Sequence, residues 1–228
     1  IATVSDLIPL PDGIKDRTAA AALLKGITAQ YLLRDSYKVK KGDTIVVHAA
    51  AGGVGAIMCQ WANSIGATVI GIVSSKEKAK FAKRNGCHHP IVVSRTKPKF
   101  AKKVLDLTNG EGAHCIYDSV GKDTWAESLA SVRLRGSVIN FGSASGNPPL
   151  VDIAKTGPLG SPYIARCALV NYTTSRAETM RRARDLFSAI ESGAVKISVN
   201  QRYPLKDAAQ AHKDIEARKT TGSTVLIP

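Results

Sequence analysis

The chain is predicted to adopt an α/β fold, a doubly wound parallel sheet covered by helices on both faces. Three observations carry this. Short runs rich in β-branched residues alternate with longer helical stretches from Thr44 to Phe141, the pattern that produces right-handed crossovers and a parallel sheet. The first run, Thr44-Ile45-Val46-Val47, passes straight into a small-residue turn, His48-Ala49-Ala50-Ala51-Gly52-Gly53-Val54-Gly55, and then into the apolar-periodic residues 56–65. A second strand-like run, Thr68-Val69-Ile70-Gly71-Ile72-Val73, follows and closes a βαβ unit around that turn.

Taken in order, residues 1–15 alternate short apolar runs with turn residues and read as the end of a preceding structure. Residues 16–37 read as a helix interrupted near Lys25-Gly26-Ile27-Thr28, where Gly and two β-branched residues lower helix propensity and a kink would present a hydroxyl. Lys40-Lys41-Gly42-Asp43 is the turn into the first strand. Beyond Val73, residues 76–85 form a helix closed by Gly86 in the position following a helix end. Residues 91–93 are a short strand, and 98–108 a helix with Pro98 in its first turn. Residues 115–120 are the fourth strand, 122–132 a helix and 137–141 the fifth strand.

Residues 142–162 are a Gly-, Pro- and Ser-rich loop with a short helical turn at 151–155. Tyr163 to Leu169 is expected as a sixth strand at the sheet edge, where unpaired backbone groups invite a second copy and hence a homodimer. The chain then reads as helix 175–192 ending at Gly193, extended 195–203, helix 205–218 and a last strand at 222–227, with no internal repeat.

Composition narrows the functional classes. Thirty-two Lys and Arg against 18 Asp and Glu give a formal charge of +14, which raises the question of anionic partners. The basic residues are scattered over several helical faces with few aromatics among them, so a solvated basic surface with one phosphate-binding site is favoured over RNA binding. No apolar run approaches the roughly 18 residues that span a bilayer, and no leader-like segment opens the chain; a cytoplasmic protein without membrane contact is expected. Cys59, Cys87, Cys115 and Cys167 show no C-x-x-C spacing, which suits buried thiols in a reducing compartment. His88-His89 lacks a third ligand nearby, so no metal is assigned. His48 reads as the end of a buried strand and not as a general base.

The chemistry is concentrated in the turn after the first strand. A strand entering a Gly-rich turn and then a helix aims free N–H groups, and the positive end of the helix dipole, at one point where a pyrophosphate fits. From Ala50 the spacing matches G-x-G-x-x-G with Ala for the first Gly. Gly52 allows close backbone approach to phosphate, and Gly55 allows the helix to pack on the strand. In sheets of this class the ligand lies at the carboxyl ends of the strands, here His48 to Val54, Val73 to Ser75, Ser119 to Gly121 and Phe141 to Ser143.

The second strand ends in Ser74-Ser75-Lys76-Glu77-Lys78 and lacks the carboxylate that would hold a ribose 2′-hydroxyl. Small hydroxyls such as Ser74 with a nearby Lys favour a 2′-phosphate, hence NADPH over NADH. Glu77, the rival for the ribose, is expected to face solvent from the first helical turn.

Four segments together carry a family resemblance. They are His48 to Gly55, Cys59-Gln60-Trp61-Ala62, Tyr117-Asp118-Ser119-Val120-Gly121-Lys122-Asp123-Thr124-Trp125, and Thr220-Thr221-Gly222-Ser223 before Leu226-Ile227-Pro228. The chain resembles the NADPH:quinone oxidoreductase, or zeta-crystallin-like, branch of the medium-chain dehydrogenase/reductase superfamily over essentially its whole length. The resemblance implies a Rossmann-type cofactor domain at residues 27–171, with 1–26 and 172–228 as remnants of a GroES-like catalytic lobe. It also implies that about a hundred residues of that lobe precede Ile1.

Matched residue by residue, it implies Thr28 as a hydroxyl near the cofactor, Gly53 and Val54 as the pyrophosphate turn, and Lys78 as the 2′-phosphate contact. Ser119 then lines the cofactor cleft, Phe141, Gly142 and Ser143 lie beside the nicotinamide half, and Arg218 reaches the cofactor phosphates. Two positions depart from the pattern: Val93 stands where related enzymes carry a Tyr, and Leu24 where zinc-dependent cousins carry a Cys ligand. The implied activity is metal-free hydride transfer from NADPH to a quinone or similar conjugated carbonyl. An enone or alkenal reductase is the nearest alternative, and an RNA-binding or structural crystallin-like protein the alternative from another class. No residue is singled out as catalytic.

Overall fold

The computed structural model describes residues 7–94 and 96–228; the reading of residues 1–6 lies outside them. Six strands, β1 (Thr44–His48), β2 (Thr68–Val73), β3 (His89–Val92), β4 (Ala113–Asp118), β5 (Val132–Asn140) and β6 (Tyr163–Arg166), form one parallel sheet in the order β3-β2-β1-β4-β5-β6. The order reverses between β1 and β4, which opens a crevice at their carboxyl ends.

Period-two alternation divides the core. Ile45, Val47, Cys115, Tyr117 and Ile139 face one layer, with Ile57, Met58 and Trp61 of helix α2 (Gly53–Ile65) and Ile27 and Tyr31 of helix α1 (Asp16–Tyr31). Val46, Ile70, Ile116 and Val138 face the other, with Val104 of helix α4 (Ala101–Leu107), the adjoining Phe100, and Trp125 of helix α5 (Trp125–Leu129). Val46, Ile116 and Val138 are fully buried, each worth about 1.5–3 kcal/mol of apolar transfer. Helix α3 (Lys76–Arg84) joins β2 to β3.

Several sequence expectations are corrected. Helix α1 continues unbroken through Lys25-Gly26-Ile27-Thr28, and the irregular turn comes later, as a π turn at Leu32–Ser36. Gly26 answers to packing: a Cβ there would stand 2.4 Å from Leu186 Cδ1. The Thr28 hydroxyl is not turned outward by a kink but donates to the Leu24 carbonyl at 2.7 Å.

Helix α4 begins at Ala101, past Pro98, because the Glu127 carboxylate accepts from the N–H groups of Phe100 and Ala101 at 2.7 and 2.9 Å and so sets its start. The helix expected at 122–132 shrinks to α5, since Asp118 holds the preceding turn and Val132 already belongs to β5. The sixth strand stops at Arg166, and Leu169–Tyr172 turns as a 3₁₀ segment. Residues 205–218 divide into a 3₁₀ turn at Leu205–Asp207 and helix α7 (Ala208–Glu216).

Helix α6 (Arg176–Glu191) packs through Ala183 and Phe187 on Ala19 of α1 and on Ile14, just ahead of it. Strands β7 (Val199–Pro204) and β8 (Ser223–Ile227) form a separate parallel ribbon joined by α7. The ribbon is tied to the sheet where the Gly222 N–H donates to the Ala51 carbonyl at 3.0 Å. That bond carries the segment ahead of β8 to the turn after β1.

Candidate cofactor site

The turn after β1 is built from backbone. Ala49 adopts φ 48°, a left-handed conformation uncommon for a residue with a Cβ, and Gly52 N–H donates to its carbonyl at 2.7 Å. Helix α2 then starts at Gly53 without any side-chain cap, so its first turn presents N–H groups to an incoming anion. At Gly55 a Cβ would stand 2.3 Å from the Ala49 carbonyl oxygen, which confirms its part in seating the helix on the strand.

A cavity of about 250 Å³ opens at the carboxyl ends of β1, β2 and β4. Of the residues singled out in the sequence, Gly52, Ser74, Lys78, Ser119 and Arg218 line it together, with Val93 as a hydrocarbon wall. Thr28, Gly53, Val54, Phe141, Gly142 and Ser143 are not among its lining residues. A larger groove of about 740 Å³ lies between α1, α2 and α6, but its Asp35 pairs with Arg181 and its Asp185 accepts from Gln30. Both of its carboxylates are thus already engaged.

At the cavity wall, Ser75 caps α3 by accepting from Lys78 N–H at 3.2 Å, while the Lys78 ammonium donates to the Arg218 carbonyl at 2.6 Å. The chain reverses at Arg218 in a Schellman motif: Arg218 N–H donates to Ile215 and Lys219 N–H to Asp214, at 2.9 and 3.0 Å. Arg218 therefore holds the left-handed position, φ 58°, usually given to Gly. Its guanidinium donates to the Ala144 carbonyl at 3.1 Å. Glu77 is exposed, as the sequence led us to expect; hydrogen bonds from its own N–H and from Ser75 hold its carboxyl below the usual range.

Ser119 is placed by its neighbour. The buried Asp118 carboxylate accepts from the N–H groups of Val120 and Gly121 at 2.8 and 2.9 Å, from Thr124 Oγ1 at 2.9 Å and from Ser128 Oγ at 2.9 Å. His48 Nδ1 lies 3.6 Å from the same carboxylate and has no hydrogen-bond partner. Burial pushes the His48 pKa down, against the pull of Asp118. This network fixes the β4–α5 loop, of which Ser119, Val120, Asp123 and Thr124 face the cavity.

Beside it, Gly142 lies against Ser119: a Cβ there would stand 2.6 Å from the Ser119 carbonyl oxygen. Asn140 Nδ2 donates to Gly142 and Asp118 carbonyls at 2.9 and 3.1 Å, its Oδ1 accepts from Arg166, and Arg166 also reaches Ser143 Oγ at 3.3 Å.

Sequence reasoning missed Thr124, Ser94, Asp123 and Thr220 in the cavity wall and Arg166 beside Ser143. The Asp118-Ser119-Val120-Gly121 turn followed by Thr124 is an Asx-type signal that would have found Thr124. Arg166, at the end of an exposed strand, carried no signal. Among the described residues no group of three or more His, Cys, Asp or Glu could hold a metal ion, and no helix is long and apolar enough to cross a membrane.

The family model described as zinc-binding dehydrogenase matches residues 53–188. A quinone oxidoreductase of Pseudomonas aeruginosa is 47% identical over 222 residues, 97% of this chain and 68% of that protein. A 2-haloacrylate reductase of a Burkholderia species is 45% identical over 97% of this chain and 66% of its own length. The crystal structure of an Escherichia coli quinone oxidoreductase complexed with NADPH superposes with a TM-score of 0.90 at 42% identity, covering 96% of this chain and 67% of that one. The chain thus spans about two thirds of the relatives it matches.

Proposed function

Because this chain belongs to the zinc-binding dehydrogenase family, we propose that it serves as an NADPH-dependent quinone oxidoreductase, the activity named for its relative from Pseudomonas aeruginosa. The observation that carries this reading is the meeting of Lys78 and Arg218 at the cavity wall that also holds Ser74. Two cations and a small hydroxyl there, with no carboxylate at the strand end, suit a ribose 2′-phosphate. The uncapped first turn of α2, at Gly53 and Val54, suits the diphosphate.

The donor set therefore fits NADPH, which supplies the hydride when bound. Lys78, Arg218 and Ser74 would bind the adenosine end, and Ser119 would line the cleft. Phe141, Gly142 and Ser143 would flank the nicotinamide half, on a loop held by Asn140. Leu24 offers a hydrocarbon where a zinc ligand would stand, 67% exposed on α1, so the reading is a zinc-independent reductase. Residues 27–171 would form the cofactor domain, and 1–26 with 172–228 would belong to the catalytic lobe; the 26/27 boundary lies within α1.

The likeness to the 2-haloacrylate reductase favours one second reading, reduction of a conjugated C=C bond by the same cofactor site. Strand β6 lies at the sheet edge with Tyr163 68% exposed, which supports a homodimer through that edge. Calorimetric titration with NADPH and NADH at near-physiological salt tests the cofactor assignment, and steady-state assays with a quinone panel and 2-haloacrylate then test the acceptor. Equal affinity for the two nucleotides would sink the 2′-phosphate argument. Turnover of the haloacrylate but of no quinone would replace the first reading by the second.

A further inference from the structure

One cation occupies a place that folding alone does not explain. Lys25, half-buried on α1, lays its side chain across Gly53, the first residue of α2: a Cβ at Gly53 would stand 2.5 Å from Lys25 Cδ and 2.8 Å from Cε. Among the described residues its ammonium has no ion pair and no hydrogen bond, and burial pushes its pKa down.

Three effects oppose a charge there. The ammonium is partly stripped of water, no carboxylate compensates it, and it belongs to a chain draped over the positive end of the α2 dipole. A methionine would make much the same hydrocarbon contact with Gly53 without these costs. The arrangement becomes favourable when an anion occupies the first turn of α2, because that anion neutralises the ammonium and the helix end together.

We propose that Lys25 is a further cofactor-binding residue, contacting the diphosphate of the nicotinamide nucleotide together with the first turn of α2. The proposal rests on the NADPH reading above and deepens it. It divides the phosphate grip in two: Lys25 acts on the diphosphate shared by NADPH and NADH, whereas Lys78 and Arg218 act on the 2′-phosphate that only NADPH has.

The test compares the 228-residue chain with its Lys25→Met and Lys25→Arg variants. Calorimetric titrations use NADPH, NADH, 2′-AMP and inorganic pyrophosphate, and each protein is melted without ligand. Lys25→Met should weaken NADPH, NADH and pyrophosphate alike, by about tenfold to a hundredfold, the size of one charge-assisted hydrogen bond. It should leave 2′-AMP unchanged and raise the melting temperature of the free protein by about 1–3 °C as the uncompensated charge is removed. Lys25→Arg should keep most of the affinity.

Unchanged NADPH and pyrophosphate affinity in Lys25→Met would overturn the proposal, as would an equal loss for 2′-AMP accompanied by a lower melting temperature, the mark of a packing role alone. If pyrophosphate binding depends on Lys25 but NADPH is not preferred over NADH, the 2′-phosphate reading falls and the diphosphate contact stands. If NADPH preference holds while Lys25→Met changes nothing, the reverse follows. A wild-type chain that binds none of the four ligands overturns both.

Discussion

The Lys78 ammonium donates a 2.6 Å hydrogen bond to the main-chain carbonyl of Arg218, 140 residues away in the chain. The bond ties the first turn of α3, at the end of β2, to the segment leading into β8. It holds two cations at one cavity wall, where like charges would otherwise drift apart.

Replacing Lys78 by Met should therefore cost NADPH affinity selectively. About tenfold to a hundredfold is expected for one charge-assisted contact, with NADH affinity unchanged, both measured by titration at fixed salt. An equal loss for the two nucleotides would mean that Lys78 supports the folded shape of the site and makes no contact with the 2′-phosphate.

Arg218 sits at a left-handed position, φ 58°, in the Schellman turn after α7. Arg218→Gly should stabilise the free protein by about 1 kcal/mol, the cost of holding a side-chain residue in that conformation, and should weaken NADPH. Chemical denaturation and titration of the same variant check the two opposite signs. A variant that loses both stability and affinity would show that the guanidinium bond to the Ala144 carbonyl outweighs the backbone strain.

Asp118 accepts from two main-chain N–H groups and two hydroxyls while fully buried. Asp118→Asn places an amide where several donors converge, and should cost about 2–4 kcal/mol of stability in urea unfolding. Because the same loop carries Ser119 and Thr124, NADPH affinity should fall as well. Thr124→Val, which removes only one of the donors, should cost about 1 kcal/mol.

Burial lowers the His48 pKa from its ordinary value of 6.5, so the unfolded chain binds a proton there more readily than the folded one. The associated stability is present above pH 6.5 and is lost as pH falls from that value toward the folded pKa, by up to about 1.4 kcal/mol per pH unit for one proton. Urea unfolding between pH 7.5 and 5.5 should show this slope, reduced in His48→Gln. His114, whose pKa is also lowered by burial and by Arg133, should retain its own part. An identical slope in both proteins would remove His48 from the account.

The sequence by itself determined the sheet and the dinucleotide turn, because both are written in local periodicity. Alternation in Ile45-Val46-Val47 and Cys115-Ile116-Tyr117 divides the two core layers, and the glycines in the run Ala49 to Gly55 allow a tight turn and close approaches that larger residues would block. It also pointed to Ser74 and Lys78, which lie a fixed distance from that turn along one βαβ unit.

Only the tertiary structure decided where the helices begin and end and which distant groups meet. The start of α4 depends on Glu127, the continuity of α1 at Gly26 on the closeness of Leu186, and the lie of Lys25 on Gly53. The meetings of Lys78 with Arg218 and of Arg166 with Ser143 join residues far apart in the chain. Such contacts are set by the packing of separate elements, and that packing depends on volumes and hydrogen-bond partners that a local pattern does not contain.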